Sequence, residues 1–96
     1  MELTGKQKRS LRALGHHLKP VTTIGKQGVV DSLLEQLEAN LLAHELIKVK
    51  VLKTCPLAPA EVAAVISART GAALAQSVGR TLLLYRPHPE QPALRV

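Results

Sequence analysis

The sequence predicts an α/β fold, with elements in the order α-β-α-β-α-β-β and a four-stranded mixed sheet packed by helices in two layers (α+β). Three observations predict it. Helix-like and strand-like apolar patterns alternate along the chain, which favours strands joined through helices. Two strand-like segments near the end are separated only by Gly79-Arg80, a two-residue hairpin turn. The 96 residues are 46% hydrophobic, which is enough for one core and one domain.

The first helix is predicted over residues 5–14. Thr4 is a suitable N-cap, because its hydroxyl can accept a bond from a free amide of the first turn. Leu11 and Leu14 are three residues apart and define an apolar side. Gly15 is expected to end the helix in the left-handed conformation.

A strand, a loop and a second helix follow. Pro20 disfavours helix at Lys19, and residues 21–24 form a β-branched run typical of a strand. The Gly-Lys-Gln-Gly loop comes next, and residues 29–44 then have the spacing of an amphipathic helix. The apolar stripe of that helix consists of Val30, Leu33, Leu34, Leu37 and Leu41.

The second half of the chain is predicted as a strand, a helix and a hairpin. Residues 46–52 alternate, with lysines on the face opposite to the apolar residues. Pro59 suits the first position of a helix, and Gly71 suits its C-terminal end. Strands are expected over 73–78 and 81–85. Residues 1–87 are therefore assigned to one domain, and residues 88–96 to a short C-terminal tail.

The charge favours a polyanionic partner. Thirteen Lys and Arg against seven Asp and Glu give a net charge of +6. No apolar run approaches the ~20 residues that span a bilayer, and the N-terminus lacks an apolar signal-peptide core, so nucleic acid is favoured over membrane. The single cysteine forms no intrachain disulfide, which fits a cytoplasmic location. With no Trp, no Phe and one Tyr, the chain is expected to contact phosphate and sugar rather than stack bases.

The Gly25-Lys26-Gln27-Gly28 loop is the candidate binding element. Glycines allow positive φ and close approach of a phosphate, and the amides of a following helix carry partial positive charge. A lone Gly-x-x-Gly usually marks only a tight turn, and lysines on a strand usually form a solvated face. The position of this loop, its internal lysine and the net charge favour contact with phosphate. Asp31 would compete for the same helix end.

Several blocks resemble a known family, the CRM domain (chloroplast RNA splicing and ribosome maturation) in its stand-alone bacterial YhbY form. The most specific blocks are His-Glu-Leu-Ile-Lys-Val-Lys at 44–50 and Gly-Arg-Thr-Leu-Leu-Leu-Tyr-Arg at 79–86. Leu-Thr-Gly-Lys-Gln-Lys at 3–8 and the glycine loop at 25–28 also match. The matching blocks span residues 3–87. The proline-rich stretch at 55–60 departs from the more charged pattern of the family.

The resemblance implies a fold similar to the C-terminal domain of bacterial translation initiation factor three. It further implies association with precursors of the large ribosomal subunit, as for stand-alone bacterial members, whereas plant members act in group II intron splicing. The family's RNA-contacting loop corresponds to residues 25–28. With the loop, the other basic candidates for RNA contact are Lys48, Lys50, Arg80, Lys19, Lys6, Lys8, Arg9 and Arg86.

The expected function is therefore RNA binding without catalysis, as a ribosome assembly factor on ribosomal RNA, by a monomer that needs no cofactor. One alternative is an RNA chaperone for intron or transfer RNA. Another is a protein-interaction module that uses Leu33, Leu37 and Leu41. The histidine spacings do not match a zinc site, and Cys55 has no evident base partner, so metal and enzyme functions are disfavoured.

Overall fold

The computed structural model describes residues Met1–Val96 and confirms the predicted element order. The helices and strands are α1 (Gly5–Gly15), β1 (Pro20–Ile24), α2 (Asp31–His44), β2 (Leu46–Val51), α3 (Pro59–Thr70), β3 (Ala73–Val78) and β4 (Thr81–Tyr85). None of the helices is both long and apolar enough to cross a membrane.

The four strands form one mixed sheet in the order β1-β2-β4-β3. Strand β1 runs parallel to β2, whereas β4 is antiparallel to both β2 and β3. The ends of β1 and β2 and the start of β4 therefore lie at the same end of the sheet. We call this the loop end, because the Gly-x-x-Gly loop leaves β1 there.

Helices cover both faces of this sheet. Helices α2 and α3 pack on one face around fully buried residues that include Leu37, Val49 and Ile66. Helix α1 packs on the other face, where Leu11 meets Leu83. The mixed sheet and the helices confirm the predicted fold class, but one helix lies opposite the other two, so the arrangement has three layers rather than two. The physical reason is that β4 is apolar on both faces, and each face needs cover.

Gly15 has a different role from the expected one. Helix α1 continues through Gly15, and its C-cap is His16 in right-handed conformation, so the prediction of a left-handed Gly15 is wrong. A Cβ atom at this position would lie 2.7 Å from Cδ1 of Leu83. Glycine therefore lets the end of α1 approach β4 closely. Gly71 does end α3, as predicted, and it adopts the left-handed conformation.

The C-terminal residues lie against the domain without forming a helix or strand. The carboxylate of Glu45, which is 4% exposed, accepts hydrogen bonds from the backbone amides of Ala93 at 2.7 Å and Leu94 at 3.3 Å. The Leu94 side chain packs against the cluster under α1. These contacts attach the tail to the turn between α2 and β2.

Candidate nucleic-acid interface

The Gly-x-x-Gly loop is a hydrogen-bonded turn at the loop end of the sheet. The amide of Gly28 donates to the carbonyl of Gly25 at 2.9 Å, which places Lys26 and Gln27 at the exposed centre of the turn. Directly before it, the amide of Leu52 donates to the carbonyl of Ile24 at 2.9 Å and ties the start of the loop to the end of β2. The tip of the turn is thus free, while its base is fixed.

The two glycines have unequal roles. Gly28 has a φ of 70° and is buried, and an added Cβ would lie 3.4 Å from Cγ of Pro56. Gly25 has no positive φ, and its Cβ would meet the Leu52 side chain at an ordinary 3.5 Å. Since the Gly28 amide is bonded within the turn, it is not free for a ligand. Gly28 therefore sets the shape of the turn rather than donating to phosphate.

Gly28→Ala is expected to destabilise the protein by about 1 kcal/mol, because an L side chain in the left-handed region costs roughly 1–2 kcal/mol. Gly25→Ala is the matched control and should cost less than about half of that, since its backbone is unstrained. Urea unfolding of both variants measures the difference. Equal midpoints for the two variants would contradict this assignment of roles.

A polar depression of about 380 Å³ separates the loop from the start of α2. Helix α2 begins at Asp31, two residues later than predicted, and Val30 provides no side-chain cap. Its first helical bond is donated by Leu34 to Val30, so the three preceding helical amides have no partner within the helix. Two of those three residues, Ser32 and Leu33, line the depression. These free amides and the helix dipole favour an anion there.

Asp31 does not line this depression. Its carboxylate faces the groove between α2 and α3, where it lies 3.5 Å from the Arg69 guanidinium. The expected competition between Asp31 and phosphate is therefore weaker than the sequence suggested.

Lys50 joins Lys26 at the loop end. It is exposed, and its neighbour across the sheet is Thr23, one residue before the last residue of β1. Lys48 precedes it on the same face and is half-buried. The structure thus brings Lys26, Gln27 and Lys50 to one end of the sheet. The polar lining residues Thr23, Ser32 and Gln36 were not singled out from the sequence, since only the folding of α2 beside β1 brings them to the loop.

Arg80 lies at the loop end but has an internal role. Its Nε donates to the carbonyl of Val51 at 2.8 Å, and a terminal nitrogen donates to the carbonyl of Leu52 at 2.9 Å. These bonds hold the end of β2 to the β3–β4 turn. Its guanidinium therefore positions the strand that supports the loop, and contact of Arg80 with RNA backbone stays a prediction.

Arg86 also has an internal role, and its contact with RNA stays a prediction. Its guanidinium donates two bonds to the Glu38 carboxylate and one, at 2.8 Å, to the carbonyl of Thr70. Its side chain is only 18% exposed. The hydrogen bond and charge of Arg86 lower the pKa of Glu38 despite some desolvation, and the same hydrogen bond raises the pKa of Arg86. Arg86 therefore links β4 to α2 and α3.

The remaining basic candidates lie away from the loop. Lys6, Lys8 and Arg9 are exposed on α1, and Lys8 lies near Ala73, at the end of the sheet opposite to the loop end. Lys19 precedes β1, one strand length from the loop. Helix α1 carries basic but no acidic residues, whereas α2 and α3 on the other face contain Asp31, Glu35, Glu38 and Glu61. The contacts of these four basic residues stay predictions.

The fold and the site define a small basic α/β domain with an exposed, lysine-bearing turn beside an uncapped helix start. The family model described as CRS1 / YhbY (CRM) domain matches residues 3–86, and the chain belongs to that family. It is 40% identical over 94 residues to the Bacillus subtilis (strain 168) protein named Probable RNA-binding protein YqeI, covering 98% of each chain. It is 41% identical over 88 residues to a Haemophilus influenzae protein named RNA-binding protein, covering 92% of this chain and 89% of that one.

A solved structure has the same fold. The solution structure of SAV1595 from Staphylococcus aureus superposes with a TM-score of 0.78 and 39% sequence identity, covering 93% of both chains.

Proposed function

We propose that this chain binds RNA backbone at the loop end and acts on ribosomal RNA during assembly of the large ribosomal subunit. The observation that carries the proposal is the exposed turn with Lys26 at its tip, beside a depression lined by Ser32 and Leu33, whose amides have no partner within α2. The names of the B. subtilis and H. influenzae relatives support RNA as the ligand. The resemblance to stand-alone bacterial CRM proteins supports the large-subunit precursor as the source of that RNA.

The mechanism is binding without turnover. A phosphate sits against the turn, where the Lys26 ammonium adds a full charge to the partial charges of the helix start. Lys50 neutralises a neighbouring phosphate across β1. Such contacts position the RNA and carry no sequence information of their own. The protein holds a structured RNA segment while the particle matures.

Lys26→Ala is expected to weaken binding to different RNAs by similar factors. It should also flatten the dependence of log K on log salt by about 0.7–0.9, because one fewer phosphate is neutralised. Fluorescence anisotropy with a ribosomal RNA fragment across a salt titration measures this slope. Arg95→Ala is the control, since it removes one exposed charge from the tail. An unchanged slope for Lys26→Ala would refute backbone binding at the loop.

Co-sedimentation separates the ribosomal role from the alternatives. A large-subunit assembly factor is expected to travel with precursors of that subunit, and Lys26→Ala should shift it to the free fractions. An RNA chaperone for intron or transfer RNA would bind RNA with the same salt slope but stay free of these particles. The protein-interaction alternative is disfavoured for its stated stripe, because Leu37 and Leu41 are fully buried and Leu33 is partly buried against the same core.

A further inference from the structure

Two rows of side chains emerge from beneath α1 on the sheet face that this helix covers. Cross-strand pairing aligns Lys48, Leu83 and Gln76 in one row, and Lys50, Thr81 and Val78 in the next. The preceding row, which contains Leu46 and Tyr85, is buried under Leu11 of α1. We call these two rows the emergent rows, although Leu83 in the first of them still lies beneath the end of α1. The side chains of this sheet face are apolar beneath α1, whereas those of the emergent rows, at the end of the helix, are mostly polar.

The emergent rows and the end of α1 enclose a pocket of about 360 Å³. Leu83, 2% exposed, forms an apolar floor, and Val78, 60% exposed, forms an apolar wall. Helix α1 ends directly over this floor, where Gly15 lies against Leu83. The next residue, His16, borders the pocket. The volume lies within the range of small-ligand sites.

Three polar side chains line the pocket without partners inside the protein. Gln76, Thr81 and Lys48 make no side-chain hydrogen bond and no ion pair. An amide offers both donors and an acceptor, and a hydroxyl offers one of each. The neutral amide and hydroxyl can form hydrogen bonds with the edge of a nucleobase, and the apolar floor can contact its face.

A phosphate fits this pocket less well than a base does. The floor and one wall of the pocket are apolar. The C-terminal end of α1 contributes the negative pole of the helix dipole, which disfavours an anion. Only Lys48 among the lining residues carries a fixed positive charge. The one tyrosine is 4% exposed and does not line the pocket, so the imidazole of His16 is the one aromatic ring beside a base held here.

We propose that this pocket binds one unpaired nucleobase of the RNA whose backbone lies at the loop end, an inference that rests on the proposed function. Lys50 connects the two places, since it pairs with Thr23 of β1 on one side and with Thr81 of the pocket on the other. With neighbouring strands about 4.8 Å apart, Thr23 and Thr81 are separated by roughly 10 Å. A strand of RNA that passes over Lys50 can therefore place its backbone at the turn and a base in the pocket.

The test compares five probes of equal charge and length. Four are single-stranded oligoribonucleotides of about ten nucleotides, each built from one of the four bases, and the fifth is a ribose-phosphate chain without bases. The wild-type protein is expected to bind at least one base-bearing chain about five-fold more tightly than the base-free chain, since each hydrogen bond of this kind contributes roughly two- to twelve-fold in affinity. Gln76→Ala should reduce this ratio at least two-fold, and Thr81→Val, which keeps the shape of the side chain, should do the same.

Gln91→Ala is the matched control, because it makes the same chemical change on an exposed residue of the tail. It should leave the ratio unchanged. Equal affinity of the wild type for all five probes, or equal weakening of base-bearing and base-free chains by Gln76→Ala, would overturn the nucleobase site. Failure of the proposed function gives a different result, because Lys26→Ala then leaves the salt slope unchanged. If only the nucleobase site is wrong, Lys26→Ala still flattens the salt slope.

Discussion

Reversing two charges at the loop end, Lys26→Glu with Lys50→Glu, is expected to weaken RNA binding by about 100-fold at 0.1 M salt. Each phosphate contact to a single strand contributes about 0.7 to the salt slope, which is roughly five-fold in affinity between 0.1 and 1 M salt. Losing two contacts accounts for about 25-fold on that basis. The introduced carboxylates also repel phosphate, which increases the loss further.

The control must change the net charge by the same amount elsewhere. Arg12→Glu with Arg95→Glu does this on α1 and the tail, where neither residue lines the depression at the loop, and folding of both double variants is checked by thermal melting. Anisotropy titrations should show a much smaller loss for the control, which reflects only long-range electrostatics. If both double variants lose affinity equally, the protein attracts RNA through its overall charge and the loop end is not the site.

Arg86→Ala is expected to lower the free energy of unfolding by about 2 kcal/mol, the largest single-residue loss of stability that we predict. Breaking a fully buried ion pair costs roughly 3–5 kcal/mol, whereas an exposed pair is worth at most about 1 kcal/mol. Arg86 is 18% exposed and Glu38 45% exposed, so this pair lies between those limits. The substitution also removes the donor to the Thr70 carbonyl at the end of α3. Urea unfolding at neutral pH measures the loss, with Arg95→Ala as the control.

The same pair predicts a pH dependence with a definite sign. Arg86 lowers the pKa of Glu38 below its ordinary value of 4.5 in the folded protein, mainly through the hydrogen bond between them. Its stabilising contribution is therefore complete above pH 4.5 and is lost as the pH falls through the lower, folded-state pKa. The difference in stability between wild type and Arg86→Ala should shrink on acidification below pH 4.5. A constant difference would show that Glu38 does not contribute through its charge.

Local patterns in the sequence predicted most of the fold. The capping box at Thr4 and Gln7, the left-handed Gly71 and the two-residue turn between Val78 and Thr81 are all formed. Each depends on residues within a few positions of one another, so it can be predicted from the sequence alone. Gly15 was misinterpreted because its requirement is a contact with Leu83, which is distant in the sequence.

The features of the candidate site can also be divided into those that local sequence patterns predict and those that depend on tertiary packing. The glycine-bracketed turn, the outward lysines of β2 and the excess of basic residues on α1 depend on residue type and local period, so they can be predicted from the sequence. Which cations already have partners within the protein depends on how distant elements pack. Arg80 and Arg86 look like binding residues in the sequence, but their guanidinium groups are used by carbonyls and a carboxylate from other elements. Buried carbonyl groups need donors, and which donor reaches them depends on how distant segments pack together.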